Sequence, residues 1–343
     1  MSTPRQRFFD CLDFNSPDKM PVVYHPSPAG LYKHGKKLLD LFNAYPPDNP
    51  IAFDKIPTPP PETIAADGRY HQIIRDKWGV DWEYLIFGIA GHPVRYPFNG
   101  WDDAKDFVFP PLPSNDPLAY AQLKDAVAAQ KRDYITYSGD ISIFERIHDL
   151  QPFDSVLVDF ARRDEGLLAF LDRLVEYWIQ SVSDVAGAGY DAIWIGDDWG
   201  SQTAPLISPR LFNSVFKPRY REIIETAKRA GLKVFFHSCG MLGYTFNELA
   251  DMGIDLIWPQ IALFEANPAF LELARDRKIS LFIHPDRQRL IPQGTPSEIR
   301  DAIKRYSDQY HQQGGGGIFY VEIENDAPFE NVEALITAIA DYR

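Results

Sequence analysis

The chain has 343 residues, of which 45% are hydrophobic, so it can bury a full core and is neither a disordered nor a fibrous protein. It carries 35 basic and 48 acidic residues, a net charge of −13, and this balance disfavours nucleic acid and anionic membranes as partners. Two cysteines suit a reducing compartment, and the sequence shows neither a secretory leader pattern nor an apolar stretch of bilayer length, so we expect a cytoplasmic protein.

Short apolar runs followed by helical periodicity recur along the chain. Eight runs predict strands, at residues 20–25, 51–56, 134–138, 192–196, 233–237, 255–258, 280–284 and 317–322. Helical patterns occupy residues 3–12, 31–42, 117–131, 143–150, 165–186, 209–230, 242–252, 268–275, 296–312 and 328–342. Residues 68–97 are rich in aromatic side chains and lack a helical period, so they predict a hairpin-like insertion after the second strand.

Eight strands, each followed by a helix or an insertion, predict an α/β protein with a single (β/α)8 TIM barrel domain over residues 1–343. The alternative is an open doubly wound sheet, which also alternates strands with helices. No Gly-x-Gly-x-x-Gly motif follows the first predicted strand, and eight units are many for that fold. The barrel is therefore favoured.

Polar residues follow the predicted strands, at the end where the active site of such a barrel forms. The residues expected to contact substrate are His25, Asp54, Asp140, Gln260, His284, Arg287 and Arg289. Loops after the last two strands of this fold often hold an anionic group, which suits the two arginines. The alternative for that loop is an ordinary surface ion pair between aspartate and arginine.

His237 and Cys239 end the fifth predicted strand, and the two-residue period of a strand places them on one face. Imidazole nitrogen and thiolate sulfur suit zinc, which needs a third protein ligand and an open position for catalysis. The same spacing also suits a partly buried histidine beside a small cysteine at a turn. From these residues alone, both interpretations stay open.

Two pairs of carboxylates end other predicted strands. Asp197 and Asp198 follow the fourth strand, and because neighbouring side chains of a strand face opposite ways, at most one enters the site as a candidate catalytic group. The other is expected to cap a helix or form an ion pair. Glu322 and Glu324 share one face after the last strand and are candidate zinc ligands, Glu322 being also a candidate catalytic group. The alternative is that both glutamates are charges at the rim.

The order of several segments resembles the uroporphyrinogen decarboxylase superfamily. These segments are residues 191–202 (DAIWIGDDWGSQ), 206–220 and 234–240 (VFFHSCG), together with the opening residues 5–12 and the closing residues 294–335. The resemblance spans the chain and implies a (β/α)8 barrel. It also implies one of two activities, uroporphyrinogen decarboxylation or cobamide-dependent methyl transfer, and a homodimer is compatible with the family.

The two branches of this superfamily differ at their sites. The decarboxylase carries an arginine-rich turn after its first strand, where this chain has Tyr24 and His25. The methyltransferase branch binds zinc through a His-x-Cys motif, which His237 and Cys239 match. Its third ligand is a cysteine, and counting back from the closing segment places Val321 there. This departure leaves three options: a glutamate after the last strand, an aspartate after the fourth strand with water, or no metal.

The resemblance therefore favours a zinc-dependent methyltransferase that moves a methyl group between a small methoxy or thiol substrate and a corrinoid on a partner protein. One alternative is a metal-free decarboxylase, in which Asp197 or Asp198 binds the substrate ring while Arg287 and Arg289 hold its carboxylates. Another is a catalytically inert relative that binds a small molecule without turnover.

Overall fold

The computed structural model describes residues 2–25, 27–51 and 54–343. The strands within these residues are β1 (Val22–His25), β2 (Gln72–Arg75), β3 (Asp81–Tyr84), β4 (His92–Arg95), β5 (Tyr137–Ile141), β6 (Ala192–Gly196), β7 (Lys233–Ser238), β8 (Leu256–Pro259), β9 (Ser280–Ile283) and β10 (Gly317–Glu322). The helices are α1 (Pro4–Leu12), α2 (Pro28–His34), α3 (Lys36–Ala44), α4 (Pro117–Gln130), α5 (Phe144–Leu150), α6 (Phe153–Arg162), α7 (Glu165–Ala188), α8 (Pro209–Leu211), α9 (Lys217–Arg229), α10 (Tyr244–Met252), α11 (Ile261–Glu265), α12 (Pro268–Asp276), α13 (Leu290–Gln293), α14 (Pro296–Gln312) and α15 (Phe329–Tyr342). A π-helical turn, Phe212–Phe216, joins α8 to α9.

Seven strands form one parallel sheet in the order β1-β10-β9-β8-β7-β6-β5. These are seven of the eight predicted strands, found within a few residues of the predicted limits. The eighth is predicted at residues 51–56. Ala52 and Phe53 lie outside the described residues, and the described residues of that stretch, 51 and 54–56, form no strand. In the described part of the chain, β1 and β5 are therefore the edges of this sheet.

Side chains of the sheet alternate between two cores, as the two-residue period of a strand requires. Phe235, Phe282 and Tyr320 belong to a core on the inner side of the curled sheet, which Phe8 of α1 also enters. Residues of the opposite parity, such as Phe236, belong to a larger core shared with the helices. The result is an α/β fold in which helices cover one side of a curled parallel sheet.

The remaining strands form a separate antiparallel sheet in the order β2-β3-β4, within the segment that predicts an insertion. The helical pattern over residues 31–42 predicts one helix, but the structure has α2 and α3, because Gly35 separates them at φ 58° and ψ −137°. None of the helices in the described residues has the length and apolar character needed to cross a membrane.

Candidate metal centre and substrate pocket

Three potential metal ligands converge where β6 and β7 end. A carboxylate oxygen of Asp198, Nε2 of His237 and Sγ of Cys239 all lie within 4.8 Å of one another, and the described residues contain no second cluster of this kind. Sγ of Cys239 lies 3.5 Å from Nε2 of His237, and Oδ1 of Asp198 lies 3.3 Å from the same nitrogen. We call these three side chains the donor trio.

The orientation of the His237 ring is fixed from behind. Its Nδ1 lies 2.9 Å from the carbonyl oxygen of Trp258, which assigns the proton to Nδ1 and leaves the Nε2 lone pair facing the trio. Burial lowers the pKa of His237, although the Asp198 carboxylate opposes this effect, so the neutral ring is favoured. Nε2 and Oδ1 of Asp198 are then two acceptors that face each other, an arrangement that a shared cation reconciles.

The register of the sheet brings the trio together. Gly196 of β6 pairs with His237 of β7. Residues 197–198 therefore leave the sheet beside residues 238–239. Alternation turns Asp197 away from the inner side of the sheet and Asp198 towards it. Oδ1 of Asp198 accepts a hydrogen bond of 2.6 Å from the backbone N–H of Cys239, which ties the two loops at the site.

Close backbone packing locks these two loops together. The backbone N–H of Trp199 donates to Oγ of Ser238 at 2.9 Å. Gly240 has φ 76°, and a Cβ atom there would lie 1.9 Å from the carbonyl oxygen of Gly200. Only glycine at position 240 meets both the left-handed backbone and this approach. The trio therefore stands on a rigid base.

Asp197, predicted as a candidate catalytic group, lies outside the pocket and is fully buried. Its Oδ1 accepts hydrogen bonds from Oγ of Ser142 at 3.0 Å and from the N–H of Glu145 at 2.7 Å. Its Oδ2 accepts from the N–H of Ile143 at 2.7 Å and from the hydroxyl of Tyr220. Burial raises the pKa of Asp197 to about 6, although these four donors oppose the rise. Asp197 thus anchors the start of α5 to the end of β6.

Aromatic rings form the floor beneath the trio. The rings of His237 and Trp258 lie 4.2 Å apart between centroids, and those of Trp258 and Tyr320 lie 4.1 Å apart. His284 packs beside this floor, is 6% exposed, and has an Nε2 atom without a hydrogen-bond partner. Burial lowers the pKa of His284 to about 3, and the nearby Arg287 guanidinium lowers it further. A neutral imidazole thus borders the site.

A cavity of about 190 Å3 lies over the trio and is bordered by the loops that follow β6, β8 and β9. Arg287 lines it, and no carboxylate among the described residues forms an ion pair with this guanidinium. Oδ1 of Asp286 accepts the N–H of Gln288 at 2.9 Å and that of Arg289 at 3.1 Å, which fixes the turn that carries Arg287. Gln260, which lines the cavity as well, completes a rim with one free positive charge.

The glutamates predicted as zinc ligands lie apart from the donor trio. Oε1 of Glu322 is 3.8 Å from Nε2 of His25, so these two residues pair with each other at the end of β1 and β10. Burial raises the pKa of Glu322, Glu324 raises it further, and His25 opposes the rise. Neither glutamate is a member of the three-residue cluster.

Three other residues predicted to contact substrate do not line the cavity over the trio. Asp140 has φ 44° and lines a second cavity, of about 210 Å3, together with Tyr177 and Trp178 of α7. Asp54 and Arg289 are exposed side chains. Gln260, His284 and Arg287 are thus the predicted residues that the structure brings together with the trio.

Sequence reasoning missed Glu145 as a neighbour of the site. Burial, followed by the charges of Asp197 and Asp198, raises the pKa of Glu145 to about 9, so its carboxyl is protonated at neutral pH. The available signal was the spacing of Ser142 and Glu145, which matches a capping box before an apolar run. The structure uses Asp197 in place of that box to bind the N–H of Glu145.

The family of the chain follows from its sequence over the second half of the fold. Residues 151–342, more than half of the chain, match the family model of uroporphyrinogen decarboxylase (URO-D). The chain belongs to this family. No curated protein matches it in sequence.

Solved structures resemble this URO-D family member at low sequence identity. A methyltransferase from Methanosarcina mazei matches with a TM-score of 0.60 and 18% identity, covering 100% of this chain and 99% of that chain. At this identity, the likeness shows a shared fold. Dihydropteroate synthases match over part of the chain only. The one from Xanthomonas albilineans has a TM-score of 0.38 and 13% identity and covers 59% of this chain and 66% of that chain, and the one from Anaplasma phagocytophilum has a TM-score of 0.38 and 17% identity and covers 58% and 72%.

Proposed function

We propose that this URO-D family member is a zinc-dependent methyltransferase, which moves a methyl group between a small methoxy or thiol substrate and a corrinoid on a partner protein. The observation that carries the proposal is the donor trio of Asp198, His237 and Cys239 beside a cavity. Nitrogen, sulfur and oxygen donors from three side chains leave a fourth position of a tetrahedral zinc open for substrate.

The residues present suit zinc. Donors bound to a tetrahedral zinc lie about 3.3–3.8 Å from one another, and the separations of 3.3 and 3.5 Å around Nε2 of His237 fall in this range. The hydrogen bond from Nδ1 to a backbone carbonyl is the usual outer support of a zinc-bound histidine. Asp198 takes the place of the third ligand that Glu322 or Glu324 was expected to supply.

Zinc at this site supplies Lewis acidity towards the ether oxygen or thiol of the substrate. The chain's own residues bind and orient that substrate. Arg287 offers an unpaired guanidinium to an anionic group, and His284 offers a neutral imidazole. Trp258 gives the floor an apolar face that excludes water. The open side of the cavity would admit a corrinoid on the partner protein.

The proposal includes a complete eight-stranded barrel. Closure would need one further element between β1 and β5, the two edges of the described sheet. Residues 1–343 then form one domain, with the three-stranded sheet as an insertion beside the mouth. Closure places the ends of all strands around one site, as the chemistry of this fold requires.

Metal analysis of purified protein after incubation with zinc and desalting tests the proposal. Wild type and Glu322→Gln are expected to retain one zinc per chain, whereas His237→Ala and Asp198→Asn lose most of it. Wild type that retains no zinc, or release of carbon dioxide from a carboxylated substrate that chelators leave unchanged, would overturn it. Equal zinc loss in Glu322→Gln and Asp198→Asn would refute the ligand set.

A further inference from the structure

Hydrogen bonds join three glutamines of three different loops at the lining of the cavity. Nε2 of Gln202 donates to Oε1 of Gln260 at 3.0 Å, and Nε2 of Gln260 donates back to Oε1 of Gln202 at 3.1 Å. Nε2 of Gln260 also donates to Oε1 of Gln288 at 3.1 Å. All three side chains line the cavity of the donor trio. We call this group the amide bridge, and Gln260 takes part in each of its hydrogen bonds.

The backbone beneath the amide bridge is held in place. The N–H of Met241 donates to the carbonyl oxygen of Ser201 at 2.7 Å, next to Gln202. Gln288 follows the turn that Asp286 fixes through its N–H at 2.9 Å. These bonds hold the backbone beside Gln202 and at Gln288, so rotation of side chains is the motion that opens the bridge, and in exposed residues it takes picoseconds to nanoseconds.

We propose that the amide bridge is a size filter over the donor trio and that Gln260 is the residue that determines its selectivity. The proposal deepens the proposed function, on which it rests for the identity of the substrate. Its basis is that the bridge joins the loops that follow β6, β8 and β9 and that line a cavity of about 190 Å3, below the roughly 300–1,000 Å3 of pockets for larger ligands. Small compounds pass beside the closed bridge, and bulky ones need it open.

The chemistry of the bridge suits this role. Hydrogen bonds between neutral amides contribute little net stability when water competes for them, so the bridge opens readily without unfolding any element. The amides carry no charge and therefore neither repel an anionic substrate nor compete with it for Arg287. Charged side chains at the same positions would either repel an anionic substrate or compete with it for Arg287.

Cys239 offers a direct probe of access, because it borders the cavity while Cys11 is fully buried. Metal-free protein is labelled separately with iodoacetamide, which is small, and with fluorescein-5-maleimide, which is bulky. Mass spectrometry of the peptide that contains residue 239 gives each rate. The ratio of the bulky to the small rate reports on the bridge, since any change in thiol reactivity affects both reagents.

Gln260→Ala is expected to raise this ratio by roughly fivefold, because it removes every hydrogen bond of the bridge. Gln202→Ala removes two of them and Gln288→Ala one, so they should follow in that order. Gln130→Ala, at an exposed position in α4, is the matched control and should equal wild type.

An unchanged ratio in Gln260→Ala would overturn the size filter. So would labelling of Cys11 in that variant, because general loosening of the fold would then explain faster access. The labelling needs no zinc, so it separates the two proposals. If the ratio changes but the wild type binds no zinc, the size filter is supported and the metal centre is refuted. If the wild type binds zinc but the ratio is unchanged, the metal centre is supported and the size filter is refuted.

Discussion

Asp197 and Asp198, neighbours at the end of β6, are expected to differ in what the same substitution removes: stability at Asp197 and zinc binding at Asp198. In Asp197→Asn, one carboxylate oxygen becomes an amide NH2 group. Each oxygen accepts one hydrogen bond from a hydroxyl and one from a backbone N–H. For Oδ1 the donors are the hydroxyl of Ser142 and the N–H of Glu145. For Oδ2 they are the hydroxyl of Tyr220 and the N–H of Ile143. The hydroxyl can turn round and accept, but the N–H cannot, so either placement of the NH2 group leaves one buried backbone donor unsatisfied.

An unsatisfied buried donor costs about 1–3 kcal/mol, and the remaining bonds lose the strength that a charged acceptor gave them. Relief from burying a charge offsets part of this loss, so we expect Asp197→Asn to lower the free energy of unfolding by about 2 kcal/mol. With about 2.1 cal/mol/K of unfolding entropy per residue, the melting temperature of a 343-residue chain falls by about 3 °C.

Asp198→Asn is the control on the adjacent residue. Its side chain is 37% exposed, and an asparagine Oδ1 still accepts the N–H of Cys239. We expect no stability change beyond about 0.5 kcal/mol, but loss of zinc. Urea and thermal unfolding in chelator measure stability without any contribution from bound metal. Equal unfolding midpoints for wild type and Asp197→Asn, or equal destabilisation by the two variants, would refute the assigned roles.

Three further variants test the rest of the site. Arg287→Met should raise the KM for an anionic substrate by about tenfold with little change in kcat, whereas Arg289→Met should not, as steady-state kinetics will show. Gly240→Ala should destabilise the chain by more than about 2 kcal/mol and Gly253→Ala by less in urea unfolding, because both have positive φ but only position 240 meets backbone atoms within 4 Å. The pKa of His284 is about 3 in the folded protein and about 6.5 in the unfolded chain, so between these two values only the unfolded state binds the proton. Well below pH 6.5, each further unit of acidification therefore lowers the free energy of unfolding by about 1.4 kcal/mol. The free energy of unfolding of wild type should therefore fall by about 1.6 kcal/mol more than that of His284→Gln between pH 6.5 and 5, and parallel pH profiles would contradict this.

Local signals in the sequence predicted the strands and several helix starts, because they depend on neighbouring residues only. The spacing of Thr295 and Glu298 is that of a capping box, which the structure forms, and Ser208 and Asn267, each directly before a proline, accept backbone N–H groups at helix starts. Asp326 lies two residues before a proline but does not cap α15, which begins after Pro328 without a side-chain cap. The short helices α6, α11 and α13 were not predicted, since four to ten residues give too few turns for a clear period.

The site was harder to predict, because it depends on which face of each strand points inward. Alternation indicated that only one of Asp197 and Asp198 enters the pocket, but not which one. The strand before them reads Ala-Ile-Trp-Ile-Gly and is apolar on both faces, so hydrophobicity does not distinguish the inner face from the outer. Contacts between strands decide it: Trp194 packs against Trp258 on the inner side.

The alternation of side chains between the two faces of β10 explains why position 321 supplies no third ligand. Tyr320 belongs to the inner core, whereas Val321 belongs to the core shared with the helices and is fully buried there. A count across a loop that is wrong by one residue exchanges the two faces of a strand. Val321→Cys is therefore expected to leave zinc affinity unchanged, and it should not restore zinc to Asp198→Asn in a competition assay with a chromogenic chelator. Restored binding in that double variant would mean that residue 321 reaches the metal and can replace Asp198 as the third ligand.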